Sequence, residues 1–193
     1  MLIRVEIPVD AVGIDSLLRR AFPTGAEAHL VHQLREDGLL TLGVVATDDE
    51  GGVVGYVAFS PVLIAGEERQ WVALAPLAVE ETLRRQGVGE KLVYEGLDAL
   101  NEFGYNAVVV LGDPAYYARF GFIPAAEQQL HSRWADSESA FQVYQLADNH
   151  VAGEGQSESE SGFAQVSGLV EYAEPFNAFL SPANNTSTQS VSG

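Results

Sequence analysis

A six-residue segment rich in arginine and glycine, residues 84–89 (Arg-Arg-Gln-Gly-Val-Gly), constrains the fold of this chain more than any other feature. It follows an apolar run at 71–79, typical of a buried strand, and opens an amphipathic run at 87–103, typical of a helix. Glycines at a helix start leave backbone N–H groups accessible, and the helix dipole adds positive potential there. The segment therefore predicts a strand–loop–helix unit that binds an anionic group such as a diphosphate.

The overall charge makes this basic segment stand out. The chain has a formal net charge of −17, with 27 acidic and 10 basic residues, yet Arg84, Arg85 and Lys91 lie close together here. A simpler interpretation is an ordinary helix start with two solvated arginines. A strongly negative field disfavours binding to nucleic acid or to an anionic membrane, so we expect neither as a partner. The same acid-rich, lysine-poor balance would also suit a saline cytoplasm, where salt screens the self-repulsion.

Three motifs resemble those of the GNAT superfamily of N-acetyltransferases. Arg84-x-x-Gly87-x-Gly89 is similar to the signature that binds the acyl-CoA pyrophosphate, and residues 76–79 resemble the end of the family's fourth strand. Residues 111–122 resemble its tyrosine-bearing helix and Gly-Phe turn. The similarity covers about residues 2–147. The sequence of the third motif, together with Tyr172, Pro175 and Phe176, resembles that of a bacterial and archaeal subgroup of predicted acetyltransferases.

This resemblance implies a mixed α/β fold. Its central sheet should be mostly antiparallel and splayed between strands four and five, with helices on both faces. The runs at 71–79, 87–103 and 107–111 should form a βαβ unit with parallel strands and a right-handed crossover. The continuous β-branched run at 107–111 is typical of a strand that is covered on both faces.

The resemblance also implies a reaction, the transfer of an acetyl group from acetyl-CoA to an amine of a small molecule or polypeptide. Acetyl-CoA is the expected co-substrate, and no metal is expected. Backbone groups near the end of the fourth strand would hold the pantetheine arm and polarise the thioester carbonyl. The residues expected to bind acetyl-CoA are Leu77, Ala78, Val79, Arg84, Arg85, Gln86, Gly87, Val88 and Gly89.

Catalysis requires a base for the amine and an acid for the departing thiolate. Tyr117 matches the tyrosine of the family pattern Y-x-x-x-G-F and is the candidate acid, with Tyr116 as its nearest rival. Residues 71–79 contain no His, Asp or Glu, so the candidate bases are Glu80, at the strand exit, and Glu27, at the start of a helix. The pattern favours a solvated surface group over a base for either carboxylate, and water is the alternative base.

The rest of the chain alternates between strand and helix patterns. Strands are predicted at 2–7, 41–47, 53–63 and 141–146, and a polar turn at 66–68. A helix is predicted from Pro8 with Val12, Leu17, Leu18 and Phe22 on one face, a second at 26–37, and a third at 87–103 with Phe103 on its buried side. Asp113 and Pro114 predict the start of a short helix that ends at Gly121.

The predicted domain organisation is a GNAT domain at 1–147, an acidic linker with an extra edge strand at 148–180, and a flexible tail at 181–193. The chain has no cysteine, which excludes disulfides and thiolate sites. His29 and His32 have a helical spacing that can bind metal, but no third ligand is evident nearby. Trp134 lies in a loop-like stretch, where it either lines the acceptor site or merely packs.

Two functions remain open from the sequence. The first is an acetyltransferase whose acidic cleft suits cationic acceptors such as polyamines, aminoglycosides or lysine side chains. The second is a non-catalytic acyl-CoA-binding or interaction module with the same fold. The start of the chain lacks the pattern of a signal peptide, and no apolar run is long enough to span a membrane, so we expect a cytoplasmic protein. Whether it forms a homodimer is left open.

Overall fold

The computed structural model describes residues 1–134, 138–146 and 166–180. The strands in these ranges are β1 Leu2–Val5, β2 Leu42–Thr47, β3 Val53–Ile64, β4 Glu67–Val79, β5 Ala107–Leu111, β6 Ile123–Pro124, β7 Leu130–Ser132, β8 Phe141–Gln145 and β9 Gly168–Tyr172. The α-helices are α1 Ala11–Ala21, α2 Ala26–Glu36, α3 Val88–Glu102 and α4 Pro114–Tyr117. The predicted linker at 148–162 and the predicted tail at 181–193 lie outside the described residues.

The strands form one mixed sheet in the order β1-β2-β3-β4-β5-β8-β6. Pairing along this path is antiparallel except between β4 and β5, which are parallel and joined through α3. This confirms the predicted βαβ unit and the mostly antiparallel sheet. β9 pairs with β3 beyond the end of β2, and β7 pairs with β9 on its other side. The strands follow sequence order from β1 to β5, with short hairpin connections from β2 to β3 and from β3 to β4.

Helices cover both faces of the sheet. Val108 and Val110 of β5 point to the α3 face, whereas Ala107 and Val109 point to the opposite face, as expected from strand alternation. The second face carries α1 and α2 at one end of the sheet. A Cβ atom at Gly96 of α3 would come within 2.5 Å of the Phe59 ring, so this glycine allows the close contact between α3 and β3.

The predicted splay lies between β4 and β5. Their pairing begins at Trp71 and Ala107 and ends at Leu74 and Val110. Beyond this point β4 pairs only with β3, and the register between those two strands shifts near Phe59, which marks a bulge. The last five residues of β4 therefore have no strand neighbour on their β5 side, and their backbone groups on that side are available to a ligand.

A buried polar network anchors the C-terminal end of α2 to the sheet. Arg35 donates a hydrogen bond to Glu6 Oε2 at 2.8 Å, and the Tyr56 hydroxyl donates one to Glu6 Oε1 at 2.8 Å. Burial and the Glu6 carboxylate raise the pKa of Tyr56 well above its ordinary value. A Cβ atom at Gly43 would collide with the Glu6 carboxylate, so this position excludes a side chain. The network fixes where α2 lies against the strands.

Two residues that were predicted to be buried, Val12 and Phe103, are exposed. Val12 is 77% exposed, because the buried face of α1 is formed by Ile14, Leu17 and Leu18, and a residue two positions before Ile14 points to the opposite side. Phe103 is 68% exposed, because it follows the last turn of α3 beyond the residues that contact the sheet. Both errors come from helix ends, where an apolar pattern continues past the surface that buries it.

Several element boundaries also differ from prediction. β1 ends at Val5, and a 3₁₀ turn at Pro8–Asp10 precedes α1. β4 begins at Glu67, because the hairpin turn occupies only residues 65–66. β9 confirms a strand in the C-terminal segment, but it lies between β3 and β7 and is not the predicted edge strand. In the described part of the chain, no helix is long and apolar enough to cross a membrane.

Candidate active site

The predicted pyrophosphate loop connects β4 to α3. A 3₁₀ turn at Glu81–Leu83 follows the strand, and the chain then enters α3 through two left-handed residues, Arg85 at φ +61° and Gly87 at φ +83°. A Cβ atom placed on Gly87 would meet nothing within 4 Å, so open space lies beside the helix start. The first N–H groups of α3 have no carbonyl acceptor within their own helix. The loop thus presents backbone donors and a helix dipole to one open region.

The two arginines of this loop differ in their surroundings. Arg84 is half-buried, and its Nε donates a hydrogen bond to the Val79 carbonyl at 3.2 Å, which ties the loop to the end of β4. Arg85 is exposed. The Gln86 side chain donates to the Thr82 carbonyl at 3.1 Å and closes the turn. Arg85 is the more available cation for a phosphate, and Arg84 both shapes the loop and adds charge.

The end of β4 lies at the splay, as predicted. Leu77, Ala78 and Val79 are fully buried and pair with β3 at Val57, Tyr56 and Gly55 respectively. Leu77 and Val79 belong to the apolar cluster under α3, whereas Ala78 belongs to the cluster under α1 and α2. A ligand at the splay would therefore lie along backbone and not along charged side chains.

Tyr117 is fully buried on the α3 side of the sheet. Asp113 caps the short helix α4, because its side chain accepts a hydrogen bond from the Ala115 N–H at 2.9 Å. The Tyr117 ring is held edge-on by Phe122, with ring centroids 5.5 Å apart. The cap and the aromatic contact together fix the direction of the Tyr117 side chain.

Tyr116, the rival acid, occupies a different environment. The Arg119 guanidinium lies over its ring, 4.7 Å from the centroid, and Phe120 packs against it. Burial raises the pKa of Tyr116 to about 12. Its hydroxyl has no hydrogen-bond partner among the described residues. Tyr116 packs on the α3 side of the sheet, beside the ion pair of Arg119 and Glu90. Its environment is that of a packing residue.

Tyr172 of β9 is a site residue that the sequence did not assign. Its hydroxyl is buried, and its ring packs edge-on against Trp134 at 4.9 Å and against Phe176 at 5.1 Å. Burial raises the pKa of Tyr172, and the proximity of Tyr117 raises it further. The two tyrosines belong to different apolar clusters, Tyr117 to the one under α3 and Tyr172 to the one beside α2. The only sequence signal was the family resemblance around residue 172, which indicates no role.

Glu27, one of the two candidate bases, is buried near the start of α2. It is only 2% exposed, and neither carboxylate oxygen has a hydrogen-bond partner among the described residues. Burial raises the pKa of this carboxyl. The interpretation of Glu27 as a solvated surface group was therefore wrong. The helical pattern did not reveal its burial, because Glu27 is a charged residue among the apolar positions that α2 buries.

Glu80, the other candidate base, is half-buried at the exit of β4. Arg20 of α1 donates to Glu80 Oε2 at 2.7 Å, so the carboxylate is already in an ion pair. His29 and His32 are exposed on α2. Within residues 1–134, 138–146 and 166–180, no group of three or more His, Asp or Glu side chains could hold a metal ion.

An apolar cluster, called here the aromatic cluster, borders the α2 side of the splay. It consists of Leu30, Leu34, Trp134, Phe176 and Phe179. Trp134, which the sequence left between two interpretations, is buried in it, and its indole N–H donates to the Phe179 carbonyl at 3.3 Å. Ala75 and Leu111, the first residues past the last β4–β5 pair, pack against the cluster.

Comparison with known proteins identifies the family. A sequence model of the acetyltransferase (GNAT) family matches residues 12–122, which is more than half of the chain. This chain belongs to the GNAT family. The match spans the splay, the loop after β4 and the Tyr117 helix, but it ends before the segment that contains Trp134 and Tyr172.

Similar proteins extend the likeness to the C-terminal segment. The chain is 64% identical over 179 residues to an uncharacterized N-acetyltransferase, YhbS, of Escherichia coli K12, which covers 93% of this chain and 100% of the relative. A crystal structure of E. coli YhbS in complex with CoA has a TM-score of 0.83 at 63% identity and covers 91% of each chain. A GNAT acetyltransferase from Brucella melitensis in complex with acetyl-CoA has a TM-score of 0.67 at 33% identity, covering 91% of this chain and 97% of that one.

Proposed function

We propose that this protein transfers the acetyl group of acetyl-CoA to an amine by direct attack, with Tyr117 as the general acid. One observation carries the proposal. The parallel pairing of β4 and β5 stops at Leu74 and Val110, so the end of β4 has an open side, and Tyr117 is held by its capped helix and by Phe122 on the α3 side of the sheet. Such an opening admits a thioester from one side and an acceptor from the other.

Acetyl-CoA binding is supported by the loop geometry and by the relatives. The open space at Gly87, the helix start of α3 and the exposed Arg85 suit a diphosphate. The similar proteins from E. coli and B. melitensis were crystallised with CoA and acetyl-CoA. From this loop the pantetheine arm would run along Ala75–Val79, where β4 lacks a neighbour. A backbone N–H there would stabilise the negative charge that develops on the thioester oxygen.

The chemistry needs one bond to form and one to break. The neutral amine nitrogen attacks the thioester carbon, the carbon–sulfur bond breaks, and the nitrogen loses a proton. Tyr117 is the group we assign to protonate the departing thiolate, and a hydroxyl about 3 Å from the sulfur would do so efficiently. The products are an acetylated amine and free CoA, because the proton lost by the nitrogen replaces the one that Tyr117 gives to the thiolate.

Glu27 is the better of the two candidate bases. A carboxylate must be free of other cations if it is to take the amine's proton. Glu80 is bound to Arg20, whereas the Glu27 oxygens have no partner in the described structure. The raised pKa of Glu27 also makes it a stronger base than a solvated carboxylate.

The proposal is tested by measuring CoA release with a panel of amines, together with the mass of each product. We expect release that saturates with acetyl-CoA and depends on an added amine, and a product that is heavier by one acetyl group. Acetyl-CoA binding without any acceptor-dependent release would overturn the enzymatic proposal and leave the non-catalytic acyl-CoA-binding module.

A further inference from the structure

We infer that this protein binds a second copy of itself through residues 7–12 and the cleft between α1 and α2, a surface called here the α1–α2 patch. The two copies are related by a twofold axis that passes close to Val12. None of the residues assigned above to acetyl-CoA binding or catalysis belongs to the patch, so the inference is independent of the proposed acetyl transfer. It rests on the exposed apolar side chains of the patch, its cleft, its charges and the strand beside it.

Exposed apolar side chains are concentrated at the start of the chain. Of the ten large apolar side chains that are exposed in the described part of the chain, six lie within residues 1–12. Val9 and Val12 are the most exposed of the ten, at 76% and 77%. Together with Ile7 and Pro8, they form a short exposed apolar run. Exposed apolar groups that cluster in this way typically mark an interaction surface.

A cleft beside this run offers space for apolar side chains. It lies between α1 and α2 and has a volume of about 270 Å³. Its apolar lining consists of Ala11, Val12, Ile14, Leu18, Ala28 and Val31. Val12 therefore belongs both to the exposed run and to the wall of the cleft. A ridge and a hollow lie side by side on one surface, which suits a twofold contact, because each copy must supply both parts.

The charges around the patch compensate one another within the chain. Three ion pairs join Arg4 to Asp10, Glu6 to Arg35 and Asp15 to Arg19, with N–O distances of 2.7, 2.8 and 2.8 Å. A basic partner would therefore find no unpaired carboxylate among residues 1–12 or along the cleft. An acidic partner would be repelled by the chain's net charge of −17. A second copy brings a patch that is equally apolar and equally free of unpaired charge.

The neighbouring edge of the sheet is less suited to the contact than the patch is. β1 is the last strand on its side of the sheet, so its outer backbone groups face no further strand of the described structure. However, β1 has only four residues and contains Arg4, which donates a hydrogen bond to the Val5 carbonyl at 3.1 Å. Short length and charged side chains discourage pairing at sheet edges. The contact is therefore assigned to the side chains of the α1–α2 patch and not to the backbone of β1.

Salt should strengthen this contact. The two copies repel each other at long range, because each carries a net charge of −17. The screening distance falls from about 10 Å at 0.1 M salt to about 3 Å at 1 M, which reduces the repulsion. We expect the dissociation constant of the dimer to decrease by at least about threefold over this range. A contact made by charge pairs would weaken instead.

Sedimentation velocity of the purified protein, measured over a concentration series at 0.1 M and at 1 M NaCl, tests the inference. We expect the mass to rise from 20.7 kDa towards twice that value as the concentration increases, and to do so at lower concentration in 1 M NaCl. A monomer at every concentration up to about 0.5 mM, or a dimer that dissociates as NaCl is added, would overturn the inference.

A charge at the proposed axis tests the location of the contact. Val12→Glu should raise the dissociation constant at least about tenfold, because each dimer would then bury two like charges. Phe103→Glu is the matched control: Phe103 is 68% exposed on α3, and the variant has the same net charge. It should dimerise like the wild type. Both positions are exposed, so the thermal midpoints of the monomers should change little. A folded Val12→Glu variant that dimerises as tightly as the wild type would overturn the inference.

A mixing experiment distinguishes a twofold contact between copies from any other use of the patch. Val12→Lys alone should also dissociate, because two ammonium groups would meet at the axis. An equimolar mixture of Val12→Lys and Val12→Glu should associate at least about tenfold more tightly than either variant alone, because opposite charges then face each other. If the wild type dimerises but the mixture stays monomeric, Val12 does not lie at a twofold axis and the inference is wrong.

Discussion

Tyr117 lies near enough to Tyr172 to raise the pKa of the Tyr172 hydroxyl, although one packs under α3 and the other beside α2. The proximity of Tyr117 contributes to the raised pKa of Tyr172, and both hydroxyls are buried. The two residues lie 55 positions apart and belong to different apolar clusters. Tyr117 belongs to the part of the domain built from β4, α3 and α4, and Tyr172 to the part built from α2 and the C-terminal segment.

Tyr117→Phe tests the general acid. The change keeps the ring and its contact with Phe122, so the thermal midpoint and the affinity for acetyl-CoA should change little. Turnover should fall by about 100-fold or more, because the thiolate loses its proton donor. Tyr116→Phe is the control and should have a smaller effect on steady-state turnover. A larger loss in the Tyr116 variant would mean that the acid is assigned to the wrong tyrosine.

Gly87→Leu tests the pyrophosphate loop, with Gly104→Leu as its matched control. The two glycines stand at opposite ends of α3 with φ +83° and +82°, and neither has an atom within 4 Å of an added Cβ. Both substitutions should therefore cost a similar free energy of unfolding, about 1–2 kcal/mol for a left-handed residue. Only Gly87→Leu should weaken acetyl-CoA binding in calorimetry, by about tenfold or more, because its side chain fills the space beside the anion site. Equal affinity in both variants would contradict the site.

The pH dependence of stability tests the burial of Glu27. Burial raises its pKa above the ordinary value of 4.5, so the folded protein holds this proton more tightly than the unfolded chain. The corresponding stabilisation is present below 4.5 and is lost as the pH rises through the folded-state pKa. Glu27→Gln lacks this titration, so its urea midpoint should increase relative to that of the wild type as the pH rises. Glu36→Gln should show no such trend. If the urea midpoints of Glu27→Gln and the wild type differed by the same amount at every pH, the burial argument would be wrong.

The sequence predicted the strand, loop and helix expected to bind acetyl-CoA, because these elements are local in the chain. The loop at 84–89, its flanking strand and its helix are adjacent in the chain, and the cap formed by Asp113 and Pro114 is a two-residue signal. Periodicity and turn chemistry act over such distances. The parallel pairing of β4 and β5 then followed from the right-handed crossover rule and the family resemblance.

The acceptor side was not predictable from local patterns. Glu27 reads as a surface acid on an amphipathic helix but is buried, and Leu30 and Leu34 of the same helix pack with Phe176 and Phe179 of the C-terminal segment. The position of Tyr172 likewise depends on a long-range contact, the pairing of β9 with β3 at Val62. Single-sequence reasoning detects which face of a helix is apolar, but not which distant segment covers a charged residue on that face.

Glu80→Gln tests the alternative base. Glu80 is paired with Arg20, and because both side chains are partly exposed, the pair should contribute less than about 1 kcal/mol to the free energy of unfolding. If Glu27 is the base, Glu80→Gln should change kcat/KM for the best acceptor by less than about threefold. Arg20→Gln serves as the control for loss of the ion pair itself. A large loss of kcat with Glu80→Gln, absent in Arg20→Gln, would transfer the role of base to Glu80.

Tyr56→Phe tests whether the network at the end of α2 supports the acceptor site. Removing the hydroxyl breaks its 2.8 Å hydrogen bond to the Glu6 carboxylate, and a bond to a charged group contributes about 1.5–3 kcal/mol. The urea midpoint should fall accordingly, while Tyr94→Phe, at an exposed position on α3, should leave it unchanged. Because α2 carries Glu27 but does not touch the loop at 84–89, kcat/KM for the amine should fall while the Kd for acetyl-CoA stays the same. If kcat/KM for the amine and the affinity for acetyl-CoA fell by the same factor, the network would stabilise the whole domain and not the position of α2.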